Sequence, residues 1–450
     1  MLPSPLLLLA FLAVPQTPDA AWAPPPLEIE GHRAVPVDVL SLEARVVFDV
    51  GRRRARAEAR MRFTLGEEGW PLFDLRQPEV EALSLDGAKL RPSRAAAVDR
   101  GGTCGTVRVL RKVLPAGGEH VLEMAYPLEQ PASPGSIPIG WGKGRLSWDF
   151  WMSDLNPGRY LEQWFPSGFV HDRFPFTLEL EVKGLETEHE LVTNAEVEES
   201  GPGRWRLRFP AHYTPLSPML VLVPAEEVER EVREVVLRDG RRITVDLCRR
   251  KEAPGSLDSL HEHIARDLQA FTDSTGPWAH GGRCTVYQWT GDRSMEYDGA
   301  TTSSLGALSH EIFHSWYGRG VRPASQNDGW IDEAWTTWMT SPRRRGGRLA
   351  PEDPPVVLAS ADPWNRVTPG ASYGAGARLF SRLARGLGEE ALLRAMAAFF
   401  QERSPEPVTT KDLEEHLAEA AGSGGAPVVH ALFERFVRGR EVEVPAWPEG

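Results

Sequence analysis

Alternating hydrophobic and polar positions mark the first half of the chain. This period of two is typical of strands with one buried face, and it occurs over Ala55 to Leu65, Phe176 to Val182 and Trp205 to Phe209. Shorter apolar runs, Val107–Val113 and Val121–Tyr126, flank the turn-forming residues Pro115 to Gly118. We predict that residues 24–225 form a β-rich domain, built as an antiparallel saddle or sandwich.

The second half, residues 226–450, has a different pattern, in which apolar residues recur every three to four positions. This spacing predicts amphipathic helices, so we expect a mainly helical domain with a few strands. The predicted strands are Ile243–Cys248 and Cys284–Trp289, and the predicted helices are Leu257–Phe271, Thr301–Tyr317, Trp330–Met339, Gly374–Leu383, Glu389–Gln401, Lys411–Ala421 and Val428–Val437. Ser303 or Ser304 is expected to cap the second helix. Within the first half, Trp141–Phe165 is rich in aromatic residues and proline and predicts an irregular connection.

The composition is that of a globular protein. Its 450 residues, of which 41% are hydrophobic and 25% charged, suit two or three domains. The net charge of −12 does not favour binding to nucleic acid or to an anionic membrane. No stretch after the N-terminal segment is long and apolar enough to suggest a membrane span.

Residues 1–23 resemble a secretory signal peptide. An apolar run from Leu6 to Val14 precedes the small residues of Ala20 to Ala23, although no Lys or Arg stands before the run. A membrane anchor is the alternative, but nine apolar residues are too few to span a bilayer. We therefore predict export, to the periplasm or to the outside of the cell.

Three cysteines occur, at Cys104, Cys248 and Cys284. Cys248 ends one predicted strand and Cys284 begins another, so a disulfide could join them if the strands are neighbours and the compartment is oxidising. Three buried free thiols are an equal alternative. The run Arg343 to Arg345, between Pro342 and Gly346, predicts an exposed, solvated loop.

The strongest chemical signal is His310-Glu311-Ile312-Phe313-His314, followed by Glu333. Two imidazoles at i and i+4 lie on one face of a helix, where they can share a metal ion. A catalytic zinc needs three protein ligands and one open position. Glu333, on the next predicted helix, can supply the third ligand, and the Gly-rich loop between lets that helix fold back. Glu311 can then act as general base on water. Surface histidines and a solvated carboxylate are the alternative reading.

These motifs resemble those of the gluzincin metallopeptidases of the aminopeptidase N and leukotriene hydrolase family. Eighteen residues separate His314 from Glu333, as in that family's H-E-x-x-H-(eighteen)-E pattern. Trp330-Ile331-Asp332-Glu333-Ala334 is similar to its W-L-N-E-G, with Asp for Asn and Ala for Gly. His314-Ser315-Trp316-Tyr317-Gly318 is similar to its H-Q-W-F-G. The resemblance implies a β saddle followed by a thermolysin-like catalytic domain, without the large C-terminal superhelical domain of longer members.

The resemblance also implies roles for two residues outside the metal motif. Arg293-Ser294-Met295-Glu296-Tyr297 resembles the family's G-x-M-E-N, in which the Glu holds the free amine of a peptide. Tyr373-Gly374-Ala375-Gly376-Ala377 resembles its Y-x-K-G-A, in which the Tyr donates to the developing oxyanion. An ordinary surface carboxylate and a buried structural phenol are the plain alternatives for Glu296 and Tyr373.

The sequence therefore predicts one zinc ion per chain, held by His310, His314 and Glu333. We expect an aminopeptidase that acts on peptides or small proteins, with Glu311 and Tyr373 as catalytic residues and Glu296 as the substrate-binding residue. An endopeptidase, or another zinc hydrolase that uses the same site, is a second hypothesis. A peptide-binding module of the same fold without catalysis is a third, although such a module would have no structural need for Glu311.

Overall fold

The computed structural model describes residues 22–130, 138–291, 293–342 and 347–448. The proposed signal segment, residues 1–23, lies outside this range except for its last two positions, and Arg343 to Arg345 also lie outside it. Among the described residues no helix is long and apolar enough to cross a membrane.

The described residues of the first part of the chain form sixteen strands. A large curved sheet of twelve strands has the central order β14-β15-β12-β2-β3-β9-β5-β6, and a second sheet has the order β10-β11-β16-β13. The strands are β1 Leu27–Ile29, β2 His32–Asp49, β3 Arg54–Leu65, β4 Trp70–Phe73, β5 Ala82–Leu85, β6 Ala88–Leu90, β7 Ala95–Asp99, β8 Thr106–Leu110, β9 His120–Pro127, β10 Ile139–Gly142, β11 Arg145–Asp149, β12 Phe176–Lys183, β13 His189–Thr193, β14 Glu196–Gly201, β15 Arg204–Phe209 and β16 Leu220–Pro224.

The alternation of hydrophobic and polar residues gives the large sheet one face that can be buried. Along β3 the positions Ala57, Ala59, Met61, Phe63 and Leu65 are buried, and their neighbours face outward. The inward residues pack against the second sheet around Trp148 and Trp164, and their burial drives the layered arrangement. The sheet is not wholly antiparallel, because β2 pairs in parallel with β12 and with β4.

The second part of the chain is an α+β unit. Its sheet has the order β17-β18-β19-β21-β20. The elements are β17 Val228–Val236, β18 Arg242–Arg250, α1 Leu257–Thr275, β19 Arg283–Gln288, β20 Met295–Tyr297, β21 Ala300–Ser303, α2 Leu308–Phe313, β22 Arg322–Pro323, α3 Trp330–Thr340, α4 Ala375–Leu387, α5 Glu389–Arg403, β23 Pro407–Val408, α6 Thr410–Ala420 and α7 Gly422–Phe436. A 3-10 turn, Gly370–Tyr373, precedes α4. The predicted fold class, a β saddle followed by a mainly helical α+β domain, is confirmed.

Three local predictions were wrong. The expected helix Thr301–Tyr317 is a strand, β21, followed by the short α2 and a turn, because the β-branched Thr301 and Thr302 pair with β19 and β20. Neither Ser303 nor Ser304 caps α2, whose N-cap is Ala307 without a side-chain bond. The stretch Trp141–Phe165 is irregular only after β11, since its start completes a hairpin of β10 and β11.

The cysteines do not form the disulfide that the sequence left open. Strands β18 and β19 are parallel neighbours, but Cys284 lies opposite Val245 and Cys248 lies opposite Tyr287. The two cysteines are thus three positions out of register, roughly 10 Å along the strand, and they face different cores. A disulfide needs Cα atoms within about 7 Å. Cys104, Cys248 and Cys284 are buried free thiols.

Candidate metal and active site

Helices α2 and α3 bring the three expected metal ligands together. His310 Nε2 lies 3.2 Å from Glu333 Oε2, and His314 Nε2 lies 3.6 Å from the same oxygen. Leu308, Ile312 and Phe313 bury the opposite side of α2 and fix its rotation. The nine residues Trp330–Trp338 of α3 are buried, so that Glu333 is carried on a rigid element.

The donor set fits a divalent metal ion. His310, His314 and Glu333 each offer a ligand atom, and these atoms lie within 4.8 Å of one another. Ligand atoms on a tetrahedral zinc, each about 2.0–2.2 Å from the ion, lie roughly 3.3 Å apart. Two imidazole nitrogens and one carboxylate oxygen are also the ligand types that zinc binds. The site can therefore hold zinc without a change of fold.

His314 is held by a carboxylate on the side away from Glu333. Its Nδ1 makes a short hydrogen bond to Asp332 Oδ1, and Thr336 Oγ1 lies 3.3 Å from the same nitrogen. The main chain at Gly318, with φ of 115°, lies directly over Asp332, and a Cβ there would be 2.2 Å from Asp332 Oδ2. A carboxylate bound to Nδ1 leaves Nε2 free to bind a metal.

Negative charge accumulates around the three ligands. Burial raises the pKa of Glu333 well above its usual value, and Asp154 and Asp332 add to this effect. Burial lowers the pKa of His314, but the neighbouring Asp332, Glu296 and Glu333 outweigh it and hold that pKa well above its usual range. The surrounding carboxylates therefore favour positive charge at these three side chains, from a proton or from a metal ion.

Glu311 points into the same site from α2. It is buried, and Glu296, Glu311 and His314 offer side-chain atoms within 4.8 Å of one another. Burial raises the pKa of Glu311 to about 8; Glu296, Asp332 and Asp154 act in the same direction, and His314 opposes them. A divalent cation at the ligand set would favour the ionised carboxylate. Glu311 is thus placed where a proton acceptor for water would be needed.

Tyr373 closes the other side of the site. Its phenol donates a short hydrogen bond to Glu333 Oε1, the oxygen that does not face the imidazoles. Its ring stacks on His310 with centroids 5.9 Å apart. Burial, with the charge of Glu333, raises the pKa of Tyr373, so the phenol remains a hydrogen-bond donor at neutral pH.

Glu296 lies next to the metal ligands but is not free. Its Oε1 accepts a hydrogen bond from Arg319 Nη2 at 2.8 Å, and both side chains are buried. Only one carboxylate oxygen is therefore committed to Arg319. The other remains for a ligand, which is compatible with the predicted contact to a substrate amine.

Sequence reasoning missed two residues of this site, Asp154 and Arg319. Both line a small polar cavity of about 30 Å³, together with Glu296, Asp332 and Thr368, which is room for a water molecule. Burial raises the pKa of Asp154 to about 7, and Glu296 adds to the effect. Arg319 could have been noticed as a charged residue directly after the metal motif. Asp154 had no local signal, because it comes from the first domain through long-range packing.

Arg293, which stands where the family's motif has Gly, is bound to the first domain. Its guanidinium lies 3.8 Å from the ring centroid of Trp151, Nη1 donates to Met152 O at 3.0 Å and Nη2 pairs with Asp149 Oδ2 at 2.9 Å. Trp151 has a φ of 51°, which is unusual for a bulky residue. These contacts anchor the segment that leads into β20 and Glu296.

Solved structures share this architecture over nearly the whole chain. The M1 zinc metallopeptidase from Deinococcus radiodurans matches with a TM-score of 0.66 and 17% identity, covering 92% of this chain and 97% of that one. The yeast LTA4 hydrolase in complex with bestatin matches with a TM-score of 0.63 and 14% identity, covering 92% and 69%. The chain has the two-domain fold of the M1 zinc metallopeptidases. The family resemblance seen in the motifs is thereby confirmed at the level of the fold.

Sequence comparisons agree with the M1 fold but cover less of the chain. The alanine/arginine aminopeptidase of Saccharomyces cerevisiae is 24% identical over 151 residues, which is 28% of this chain and 18% of that protein. The mitochondrial aminopeptidase 2 of the same yeast is 24% identical over 138 residues, 26% of this chain and 14% of that protein. The chain thus matches less than a fifth of either relative's length. No protein-family profile matches the chain.

Proposed function

We propose that this protein is a zinc-dependent aminopeptidase. The observation that carries the proposal is the convergence of His310, His314 and Glu333 on one point, with Glu311 beside them. The M1 fold supports it, because a crystal structure of the Deinococcus enzyme contains a Tyr-Ser-Ala substrate and the matching yeast proteins are named aminopeptidases.

The ligand set would place one metal ion at the inner end of the site. When bound, zinc supplies Lewis acidity that polarises a carbonyl group and lowers the pKa of water. Glu311 accepts the proton of the attacking water and returns it to the leaving nitrogen. The Tyr373 phenol turns from Glu333 to the substrate carbonyl oxygen and donates a hydrogen bond as negative charge develops there.

The excess of carboxylates supports a preference for substrates with a free amino terminus. Glu296 and Asp154 line the same cavity, and Arg319, one of two buried arginines there, pairs with Glu296. When a divalent metal ion neutralises the charges of Glu333 and Glu311, negative charge remains in the part of the site that Glu296 lines. An ammonium group placed there gains favourable electrostatic energy that a blocked amine cannot gain. This placement fixes how far a peptide enters and favours removal of one residue at a time.

Fluorogenic amino-acid amides, free and N-acetylated, test the proposal with and without a chelator. We expect hydrolysis of the free amides only, loss of activity on chelation and recovery with zinc. Glu311→Gln should retain zinc but lose activity by at least about a thousandfold, since general base catalysis and charge are both removed. Equal cleavage of acetylated substrates would favour the endopeptidase instead. A wild-type protein that binds zinc and peptides but cleaves none would favour the binding module.

We also propose that the protein is exported, on the basis of the signal-like residues 1–23. Expression of the full chain in a bacterial host, followed by fractionation and N-terminal sequencing, tests this. Export predicts a shortened N-terminus in the periplasm or medium. Full-length protein confined to the cytoplasm would contradict it.

A further inference from the structure

The segment before Tyr373 is held by the first domain at three successive points. Trp364 Nε1 donates to Pro25 O at 3.1 Å. Arg366 N donates to Thr103 O at 3.1 Å, and Thr368 N donates to Asp154 O at 3.0 Å. The polypeptide that leads to the phenol is thus bound along its length to a domain that contributes none of the three metal ligands.

Arg366 makes the strongest of these contacts. Its Nη2 forms ion pairs with Asp74 Oδ2 at 2.5 Å and with Glu162 Oε1 at 2.8 Å, and all three side chains are at least nine-tenths buried. We call these three residues the Arg366 cluster. A buried guanidinium between two carboxylates has a defined geometry, because each charge must be compensated where water is excluded.

The main chain at Arg366 is fixed as well as the side chain. Tyr160 OH donates to Arg366 O at 2.7 Å, and Gln326 Nε2 in turn donates to Tyr160 OH at 2.5 Å. Gln326 belongs to the loop between α2 and α3, which joins the metal ligands. The same hydrogen-bond chain therefore connects the Arg366 cluster to the loop that sets the distance between His314 and Glu333.

The turn between this anchor and the phenol is exposed at its start and buried at Ser372. Gly370 and Ala371 are exposed, and Gly370–Tyr373 is a single 3-10 turn. The turn is fixed at its far end by α4 and at its near end by Thr368 and the Arg366 cluster. A shift of the near end would therefore move the Tyr373 side chain relative to Glu333.

We infer that Arg366 is a positioning residue through which the first domain sets the place of Tyr373. This inference rests on the proposed function for Tyr373, because only a phenol that acts in the reaction makes its placement matter for turnover. The first domain then contributes to catalysis, because it determines where the Tyr373 phenol lies. No catalytic role is assigned to Arg366 itself, which is buried away from the reacting atoms.

A double-mutant cycle tests this assignment. Arg366→Lys keeps the charge but is shorter and removes the planar guanidinium, whose Nη2 pairs with both carboxylates and whose Nη1 donates to Cys104 O at 3.5 Å. We expect kcat to fall about 10- to 100-fold with KM within about twofold. In the Tyr373→Phe background, the same substitution should change kcat less than about twofold, because the group it positions is already absent. An equal loss of kcat in both backgrounds, or a rise of KM alone, would overturn the inference.

Arg230→Lys is the matched control. Arg230 is a half-buried arginine that also joins the two parts of the chain through Asp246 and Glu190, but it lies outside the Tyr373 segment. Its replacement should reduce stability and leave kcat per folded molecule unchanged. If Arg366→Lys does not fold, Glu162→Gln weakens the same cluster from the other side, because Glu162 Oε1 accepts the hydrogen bond of Arg366 Nη2, and this variant takes its place in the cycle.

Hydrogen exchange gives a readout that does not depend on activity. In Arg366→Lys, the amides of Ser372 and Gly374, which donate to Pro369 O and Ala371 O, should exchange at least about tenfold faster than in wild type, and in Arg230→Lys they should not change. Unchanged exchange in Arg366→Lys would overturn the inference even if the enzyme is active. If the wild type hydrolyses no substrate, the proposed function fails, and the exchange measurement still decides whether Arg366 holds the segment.

Discussion

Asp332 shows how one difference from the family's motif changes the surroundings of His314, a proposed metal ligand. The family's motif has Asn at this position, and here a carboxylate binds His314 Nδ1 beneath the main chain of Gly318. A carboxylate is a stronger acceptor than an amide, and it makes the imidazole a better electron donor. The negative charge also adds to the attraction for a divalent cation.

Replacement of Asp332 by Asn should therefore weaken metal binding. We expect the zinc Kd of Asp332→Asn to rise about tenfold or more, because partners of metal-bound histidines typically affect affinity by this amount. Competition with a chromophoric chelator measures it. Asp328→Asn is the control: Asp328 is also buried on the approach to α3, but it binds Thr410 and not a histidine. Equal zinc affinity in Asp332→Asn and wild type would contradict this account of Asp332.

At the residue scale, the sequence was enough to predict the site residues that belong to short motifs. His310 and His314 share a helical face through their spacing alone, and the distance to Glu333 matched a known pattern. Asp154 and Arg366 could not be predicted in this way, because folding brings them to the site from distant parts of the chain. The ion pair of Glu296 with Arg319 likewise joins residues 23 positions apart, for which no spacing rule exists.

At the scale of elements, close contact between α3 and α4 places Glu333 beside Tyr373. Gly376, near the start of α4, lies against Ala334, and a Cβ on Gly376 would be 2.5 Å from the Ala334 Cβ. Neither atom can rotate away, so a larger residue must separate the helices. The Gly-Ala pair that followed Tyr373 in the motif thus has a packing function.

Gly376→Ala should consequently destabilise the protein, although alanine favours helices. An exposed helical Gly→Ala change stabilises by roughly 0.5–1 kcal/mol, whereas overpacking costs about 1–3 kcal/mol. We expect a net loss in the free energy of unfolding, measured by urea denaturation. Gly66→Ala, at a glycine with no atom within 4 Å of its added Cβ, should change stability little. A stabilised Gly376→Ala protein would show that α3 and α4 can separate without cost.

The elements were predicted correctly where the hydrophobic periodicity continues over many residues, as in β3, α1 and α5. Prediction failed at Thr301–Tyr317, where a strand and a short helix follow each other. Ile312 and Trp316 have helical spacing, but Trp316 and Tyr317 are buried in the turn after α2. These two residues are apolar because the turn is buried, so the apolar spacing in the sequence continues past the end of α2.

At the scale of the whole molecule, the change of pattern near residue 225 does not separate two independent cores. The core of the first domain continues into the second part of the chain through Cys248, Tyr287, Met295, Tyr297 and Ala300. These residues lie on one face of the five-stranded sheet β17-β18-β19-β21-β20, and the other face packs on the helices. The sequence could not show this sharing, because a strand buried on both faces has no clear polar side.

The Arg366 cluster gives the contact between the segment before Tyr373 and the first domain a dependence on pH. Burial raises the pKa of Asp74 to about 7; Glu162 adds to the effect, and Arg366 and Arg76 oppose it. In the unfolded chain an aspartate titrates near 3.9. Between about pH 4 and pH 7 the folded protein therefore binds more protons than the unfolded one. The stability that Asp74 contributes is greatest below this window and is lost as pH rises through it.

Asp74→Asn, which cannot ionise, should remove this dependence. We expect the free energy of unfolding of wild type to fall relative to the variant from pH 5 to pH 8, by at most about 1.4 kcal/mol per pH unit. Urea denaturation of both proteins at four pH values measures the difference. Asp246→Asn is the control: burial raises the pKa of Asp246, but Arg230 and Arg283 outweigh it and lower that pKa below its usual value. Asp246 is then ionised in both states above pH 5, so its difference from wild type should be constant. Parallel curves for wild type and Asp74→Asn would show that Asp74 is already ionised at pH 5, held by Arg366 despite its burial.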